Sequence, residues 1–441
     1  MLRLIAAPDP VDPVDFASRI EPLLAGASGA LAVAVSGGVD SVALLHLCDG
    51  WARSRGRDLT VYTVDHGLRP DAAAEAKGVG RLAASLGRRH RILTWDGPKP
   101  VTGLQAAARE ARYRLLAGAC HRDGSEALAL AHHLDDQAET LLHRIERGTG
   151  PDGLAGIPAT RRVDGVTLVR PLLDLPKERL VATCRAAGLT WAEDPSNLDP
   201  RFARTRYRAL AGALAASGVT AERLGRLASA MTTARCALDR HCADWMAAHA
   251  TLTPAGTVTL ARPALLDAPA LLRRRLVGRA LRAAGGSGYP ARGERLDRLL
   301  AWIEEEGAGT GIRTLAGCRL ERSAGAVSVL RDWRQAARPA VVEPRGRLRW
   351  DGRFEIHNPT DAPVRVGVCG EEGWRRWRRT AGVGGLPAAP ALAHAARLAL
   401  PAVVDLDGGI ALPHLVESAP APFGWVGEMV RVRFCPDLPF P

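Results

Sequence analysis

No Cys-x-x-Cys pair occurs in this chain, and Cys48, Cys120, Cys184, Cys236, Cys242, Cys318, Cys369 and Cys435 are scattered along it. Zinc ribbons, iron–sulfur sites and disulfide frameworks need closely placed sulfur, so this spacing argues against them and for a reducing compartment. Long apolar runs are missing too: nothing approaches the roughly 18 uncharged apolar residues that a membrane helix requires. Residues 1–13 carry one arginine and no apolar core of leader length. A cytoplasmic protein with no membrane partner is expected. The Gly-x4-Gly-Lys-Ser/Thr loop of kinases and GTPases is also absent from the glycine-rich turn discussed below, because no lysine follows its glycines.

What the chain has in excess is positive charge, with 59 Lys and Arg against 47 Asp and Glu, a formal +12. That balance fits a polyanionic partner such as nucleic acid, and it fits equally an Arg-rich composition with no partner behind it. At 441 residues there is room for two or three domains with separate cores.

The most informative stretch is Leu31-Ala32-Val33-Ala34-Val35-Ser36-Gly37-Gly38-Val39-Asp40-Ser41. Its apolar, partly β-branched start reads as a buried parallel strand, and Val42–Leu47 continues at helical spacing. Ser36–Ser41 is then a strand-to-helix turn. Gly37 and Gly38 lack Cβ and let backbone N–H groups face a phosphate, while the helix adds the positive end of its dipole. Ser36 and Ser41 supply hydroxyls. Asp40 fits among phosphates only with a divalent cation between, for which Mg²⁺ is expected; otherwise it is a helix cap. Ser36, Gly37, Gly38, Val39, Asp40 and Ser41 are the candidate ATP-binding residues, with Asp40 the metal ligand.

Strands alternate with helices from here: strands at 60–64, 90–94, 126–131 and 166–173, helices at 71–86, 103–120 and 177–187. Such alternation specifies an α/β fold with a doubly wound, Rossmann-like parallel sheet, whose ligands collect beyond the carboxyl ends of the strands. The second strand runs into Asp65-His66-Gly67-Leu68-Arg69-Pro70, either the frame of a nucleotide or a turn with a capping Asp. The fourth ends in Ala131-His132-His133-Leu134-Asp135-Asp136-Gln137-Ala138-Glu139-Thr140. On a helix starting near Asp135, Asp136 and Glu139 share a face at i and i+3, a paired anionic pocket for an ammonium or a metal. Adjacent histidines point apart, which disfavours zinc. Residues 147–158 are glycine-rich and read as a flexible flap.

The six residues of the loop resemble the signature of the PP-loop ATP pyrophosphatases, which split ATP between its α- and β-phosphates and transfer AMP to an oxygen. With His-Gly-Leu-Arg (66–69), Ala-Arg-Glu-Ala-Arg-Tyr (108–113), His-His-Leu-Asp-Asp-Gln-Ala-Glu-Thr (132–140), Arg-Gly-Thr-Gly (147–150) and Glu-Asp-Pro-Ser-Asn (193–197), the order over roughly residues 30–210 is similar to the tRNA(Ile)-lysidine synthetase family. The resemblance implies ATP and Mg²⁺ as cofactors. It implies tRNA(Ile) and L-lysine as partners, and a wobble cytidine ligated to lysine so that decoding changes from AUG to AUA. It also implies catalytic roles for Asp40, Arg109, Arg112 and Arg204, lysine binding by Asp136 and Glu139, and His66, His132 and His133 near the site. One departure is Thr205, where the family has asparagine. Thiolating and amidating PP-loop enzymes need a cysteine pair or an amidotransferase domain, and neither has a candidate here. The rival of another class is a tRNA-binding protein whose nucleotide site is only regulatory.

Three domains are expected: a catalytic one at 1–210, a helical middle one at 211–338, closed by a hairpin at 315–330, and a small α+β one at 348–441 after a linker at 339–347. Arg273-Arg274-Arg275 is either a solvated face or a phosphate grip. Trp374-Arg375-Arg376-Trp377-Arg378-Arg379 interleaves aromatics with cations, as an RNA-contacting surface does.

Overall fold

The structure is a computed structural model, and it describes residues 8–27, 29–67, 72–97, 99–100, 102–192, 203–286, 293–305, 309–381, 393–404, 409–413 and 430–435. Two compact units divide the chain between Cys236 and Ala237. The first opens with α1 (Pro13–Ile20), β1 (Ala30–Ala34), α2 (Val39–Ser54), β2 (Leu59–Asp65), α3 (Ala72–Ser85), β3 (Arg89–Thr94), α4 (Leu104–Asp123) and β4 (Ser125–Ala129). It continues through α5 (Leu134–Glu146), α6 (Pro151–Leu154), β5 (Thr160–Val163), β6 (Val166–Val169), α7 (Lys177–Ala186), α8 (Ala203–Ala216) and the start of α9 (Ala221–His249).

The strands form one sheet in the order β3-β2-β1-β4-β6-β5, parallel except for the β5–β6 hairpin. β1 is apolar without alternation because both of its faces are covered. Leu31, Val33 and Val35 share a core with Val42, Leu45 and Leu180 of α2 and α7. Ala32 instead shares one with Tyr113, Leu116 and Ala117 of α4. Each fully buried Leu or Val contributes about 1.5–3 kcal/mol. Successive strands β1, β2 and β3 run outward one way while β4 joins β1 on its other side. The winding therefore reverses at the carboxyl ends of β1 and β4, and a crevice opens there. Those ends carry the Ser36–Ser41 loop and the His132–Glu139 cluster.

The stretch read as a flap is tied down. Gln137 Nε2 donates to Ile157 O at 2.8 Å, and Ile157 N–H returns to Gln137 Oε1 at 2.7 Å. Arg144 Nη1 donates to Gly153 O and Gly156 O at 2.7 and 2.8 Å.

In the second unit, β7 (Ala250–Leu252), β8 (Val258–Ala261), α10 (Arg262–Asp267), α11 (Ala270–Gly285) and α12 (Gly293–Glu304) precede β9 (Gly311–Leu315), β10 (Cys318–Arg322) and β11 (Ala326–Arg331). The strands make an antiparallel sheet, β7-β8-β11-β10-β9, so this segment holds more strand than its helical periodicity announces. The hairpin read at 315–330 is β10–β11. Then come β12 (Ala340–Val342), within the stretch read as a linker, β13 (Arg347–Trp350), β14 (Phe354–His357), β15 (Val364–Val368), α13 (Gly370–Ala381), α14 (His394–Leu398), β16 (Pro401–Val404), β17 (Ile410–Ala411) and β18 (Arg431–Phe434). They form sheets β12-β15-β16-β17 and β13-β14-β18. Among the described residues no helix is long and apolar enough to cross a membrane.

Two readings of this unit change with the structure. Trp374 and Trp377 do not interleave with the arginines at a surface. Their rings lie 5.2 Å apart, tilted by 32°, in a core with Ala255, Leu398 and Leu400, because i and i+3 fall on one helix face. Arg375, Arg376, Arg378 and Arg379 occupy the exposed face of α13. The run at 273–275 is absorbed by ion pairs: Arg273 with Glu304 at 3.0 Å, Arg274 with Asp297, Arg275 with Asp239 at 3.4 Å.

A buried ion cluster ties the two parts of this unit together. Asp351 accepts from Arg331 of β11 at 2.7 Å and from the fully buried Arg353 at 2.8 Å. Its own backbone is left-handed, φ 53°, a conformation asparagine also tolerates. Asp351→Asn therefore keeps the backbone while leaving two buried guanidinium groups uncompensated, at an expected cost of about 3–5 kcal/mol. Urea unfolding should show this as an earlier transition of the 237–441 unit; a loss below about 1 kcal/mol would contradict a structural role for the cluster.

Candidate active site at the sheet switch point

The loop after β1 is stapled by one hydroxyl. Ser41 Oγ accepts from Ser36 N–H at 3.1 Å and Gly37 N–H at 3.2 Å, and donates to Gly38 O at 2.9 Å. Ser36 Oγ lies 3.2 Å from it. The Ser41 proton is thus spent inside the turn. Gly37 is left-handed, φ 94°, whereas Gly38 is extended at the N-cap of α2. A Cβ on Gly38 would meet only Ser36 Oγ, at 3.9 Å, so the space above it is open. That opening lies at the positive end of a sixteen-residue helix.

Asp40, in the first turn of α2, turns Oδ2 toward two cations, His133 Nε2 and Lys177 Nζ, each at 3.5 Å. Burial pushes its carboxyl up, but His133 and Lys177 outweigh this and hold it below the usual carboxylate range. Its Oδ1 is buried with no hydrogen-bond partner. An orphaned carboxylate oxygen beside an open anion cradle fits Mg²⁺, which takes one or two carboxylates plus phosphate oxygens.

His133 is the hub of the cluster. Only 1% exposed, it sets Nδ1 3.2 Å from Asp135 Oδ2, and Nε2 3.5 Å from Asp40 and 3.7 Å from Asp136. Burial opposes its protonation, yet the three carboxylates prevail and its pKa is pushed up to about 10. Asp136 accepts from His133 N–H at 3.1 Å and so caps α5. Asp136 and Glu139 are both buried, 9% and 5% exposed, on the inward face of that helix. Lys177 N–H donates to Asp135 at 3.0 Å, which locks the start of α7 to the cluster.

On the α4 side of the sheet the chemistry is cationic. Arg109 and Arg112 set their guanidinium carbons 5.2 and 5.3 Å from the Tyr113 ring, and Arg109 Nη2 donates to its hydroxyl at 3.2 Å. Burial raises the Tyr113 pKa, but Arg109, Arg112 and Arg170 together bring it below the usual phenol range. His66 follows β2 with its ring edge-on to Trp95 at 6.1 Å. Burial and then the charge of Arg112 lower its pKa. His132 receives Arg170 Nε at 3.3 Å.

The structure thus gathers the sequence candidates into two groups flanking the end of β4. Asp40, His133, Asp136 and Glu139 belong to the loop side, Arg109, Arg112, His66 and His132 to the α4 side. Arg204 lies in the first turn of α8, but its side chain and that of Thr205 are outside what the structure describes, as are residues 68–70 and 193–197. Ala192 N–H, just before that last stretch, donates to Gly37 O at 2.9 Å. Sequence reasoning missed Asp135, Lys177 and Arg170. Lys177 had a signal: cations here are nearly all arginine, the other lysines being Lys77 and Lys99, and this one opens a helix after a proline. Among the described residues no three His, Cys, Asp or Glu side chains form a metal-binding group.

The PP-loop domain family matches residues 14–213. A tRNA(Ile)-lysidine synthase of Methylobacterium nodulans is 46% identical over 338 residues, 73% of this chain and 96% of the relative. The chain belongs to the tRNA(Ile)-lysidine synthase family. Another member, from Rhodopseudomonas palustris, is 46% identical over 331 residues, covering 73% of this chain and 94% of its own. Among solved structures, a U34-tRNA thiolase of Methanococcus maripaludis overlaps 50% of this chain and 77% of its own with a TM-score of 0.44 at 15% identity. Family membership agrees with the doubly wound sheet and with the loop at its switch point.

The two glycines are separable by experiment. Gly37→Ala forces a left-handed alanine, at about 1–2 kcal/mol, and should lower the melting temperature. Gly38→Ala has room for its methyl and should leave melting unchanged; equal destabilisation of both variants would show that Gly38 is needed for the turn itself.

Proposed function

We propose that this chain joins L-lysine to the wobble cytidine of a tRNA(Ile) with anticodon CAU, consuming ATP, so that the codon read changes from AUG to AUA. The observation that carries the reading is the meeting, at one switch point, of an anion cradle with an orphaned carboxylate and a buried acidic helix start. A chain so built can bind a triphosphate and an ammonium side by side.

In the first step the cytidine ring oxygen attacks the α-phosphorus; a C–O–P linkage forms and the bond to pyrophosphate breaks. The N-terminus of α2, beginning at Gly38, holds the phosphates, and the arginines of α4 stabilise the charge that develops. Asp40, whose Oδ1 is buried without a partner, would hold Mg²⁺, which when bound would neutralise charge near the phosphates. In the second step the lysine ε-amine, having lost its proton, attacks the activated ring carbon and AMP leaves. Asp136 and Glu139 bind and orient the incoming ammonium, with His133 fixing Asp136 in place.

Radiolabelled lysine should enter a CAU-anticodon tRNA(Ile) transcript only with ATP present, with one pyrophosphate and one AMP released per lysine. Pyrophosphate release with no lysine incorporated would favour the nucleotide-switched RNA binder.

The two halves separate by mutation. Asp40→Asn should cut pyrophosphate release by about 10²-fold or more while the fold persists. Near-normal ATP use would make Asp40 a mere cap. Glu139→Gln should raise the KM for lysine strongly and still allow adenylated tRNA to accumulate; equal loss of both steps would place this carboxylate with the phosphates instead.

tRNA phosphates beyond the anticodon need cations outside the first unit, and the outer face of α13 offers them. Removing residues 339–441 is no clean test, since Asp351 and Trp374 belong to cores shared with residues 237–338. Replacing Arg376 and Arg378 by Gln should weaken tRNA binding and flatten log K against log [salt] by about one unit for each phosphate no longer neutralised. An unchanged slope would remove this helix from the RNA interface.

A further inference from the structure

Arg170 is one of the most buried charges of the first unit, 3% exposed at the carboxyl end of β6. Among the described residues nothing acidic is paired with it, and burial lowers its pKa. Its donors go to neutral acceptors: Nη1 to Pro158 O at 2.8 Å, Nε to His132 Nδ1 at 3.3 Å, with the Tyr113 hydroxyl also interacting with it. Its own N–H donates to Ala159 O at 2.9 Å. A buried cation is expensive unless its position is used.

The contact with His132 has a definite chemical consequence. An arginine Nε always carries its hydrogen, so the Nδ1 it meets must accept with a lone pair. His132 is then neutral and its proton sits on Nε2. Its sequence neighbour His133 instead has carboxylates facing both ring nitrogens, Asp135 at Nδ1 and Asp40 and Asp136 at Nε2. The two adjacent histidines thus have opposite surroundings, a guanidinium at His132 and carboxylates at His133.

We propose that Arg170 is a positioning residue that fixes His132 as the neutral Nε2–H tautomer and, through Pro158, registers it against the 147–158 loop. His132 so held gives the site a neutral hydrogen-bond donor, which suits an uncharged acceptor atom such as a pyrimidine ring nitrogen or carbonyl rather than a phosphate. A ring nitrogen bearing hydrogen, as in uridine, would confront that donor with another donor. The use made of His132 rests on the ligase reading above; the tautomer does not.

Long-range ¹H–¹⁵N spectra of the whole chain, labelled in histidine, read the tautomer without any ligand. The His132 signals are assigned by their loss in His132→Gln. The proposal expects a lone-pair Nδ1 and a protonated Nε2 in the wild type, and a mixture of tautomers in Arg170→Met. A wild-type ring protonated at Nδ1 overturns it, as does an unchanged ring in a folded Arg170→Met. Activity supplies the second arm: Arg170→Met should lower kcat for lysine incorporation about 10–100-fold, as loss of a group orienting a functional histidine does, with little change in the KM for ATP. In the His132→Gln background the same change should lower it no further. Multiplicative losses would show that Arg170 acts independently of His132. If the methionine variant does not fold, Arg170→Lys takes its place in the cycle, and the wild-type spectrum alone still decides the tautomer.

Discussion

One buried imidazolium holds the site together. Asp40 comes from the helix after β1, Asp135 and Asp136 from the helix after β4, and none of the three would stay close to the others as a bare carboxylate. His133 sits among them, 3.2–3.7 Å from each. Its charge is what makes two separate loop ends into one site. Burying such a set is costly unless each charge has a partner, and here every member touches an opposite charge. The linkage has a definite sign. With a folded pKa near 10 against an ordinary 6.5, the protonated ring stabilises the native state fully below pH 6.5, and that contribution is lost as pH rises toward and through 10.

The sheet separates two kinds of chemistry. On the side of α2 and α7 the groups are carboxylates with just enough positive charge, His133 and Lys177, to be kept together. On the side of α4 they are guanidinium groups around a phenol. The reaction assigned to the chain joins an ammonium-bearing amine to an atom activated by a phosphate. Its two reactants need opposite fields close together, and the adjacent residues His132 and His133 carry one contact set of each kind.

Much of this is legible in the residues. The Ser36–Ser41 turn, the parallel winding and the acidic start of α5 follow from apolar runs, glycines and the spacing of Asp136 and Glu139, all of which are local. What escapes is non-local or depends on which face a residue takes. Arg170 and Lys177 acquire meaning only from partners 38 and 42 residues away, His132 and Asp135. Trp374 and Trp377 look interleaved with arginine in the linear order, yet at i and i+3 they share the buried face. Hairpin β5–β6 does carry a local signal: Asp164-Gly165 are both left-handed, φ 46° and 82°, the two-residue turn that Asp-Gly favours. The flap at 147–158 looks mobile because it is rich in glycine, but Gln137 and Arg144 satisfy its backbone.

The claim that a protonated His133 unites the two loops can be measured directly, by following its ring nitrogens against pH in the whole protein without metal or nucleotide. The account predicts that both nitrogens stay protonated through pH 8, with the midpoint near 10. A midpoint near the ordinary 6.5 would contradict it, leaving Asp40 and the acidic helix start without the cation that holds them together.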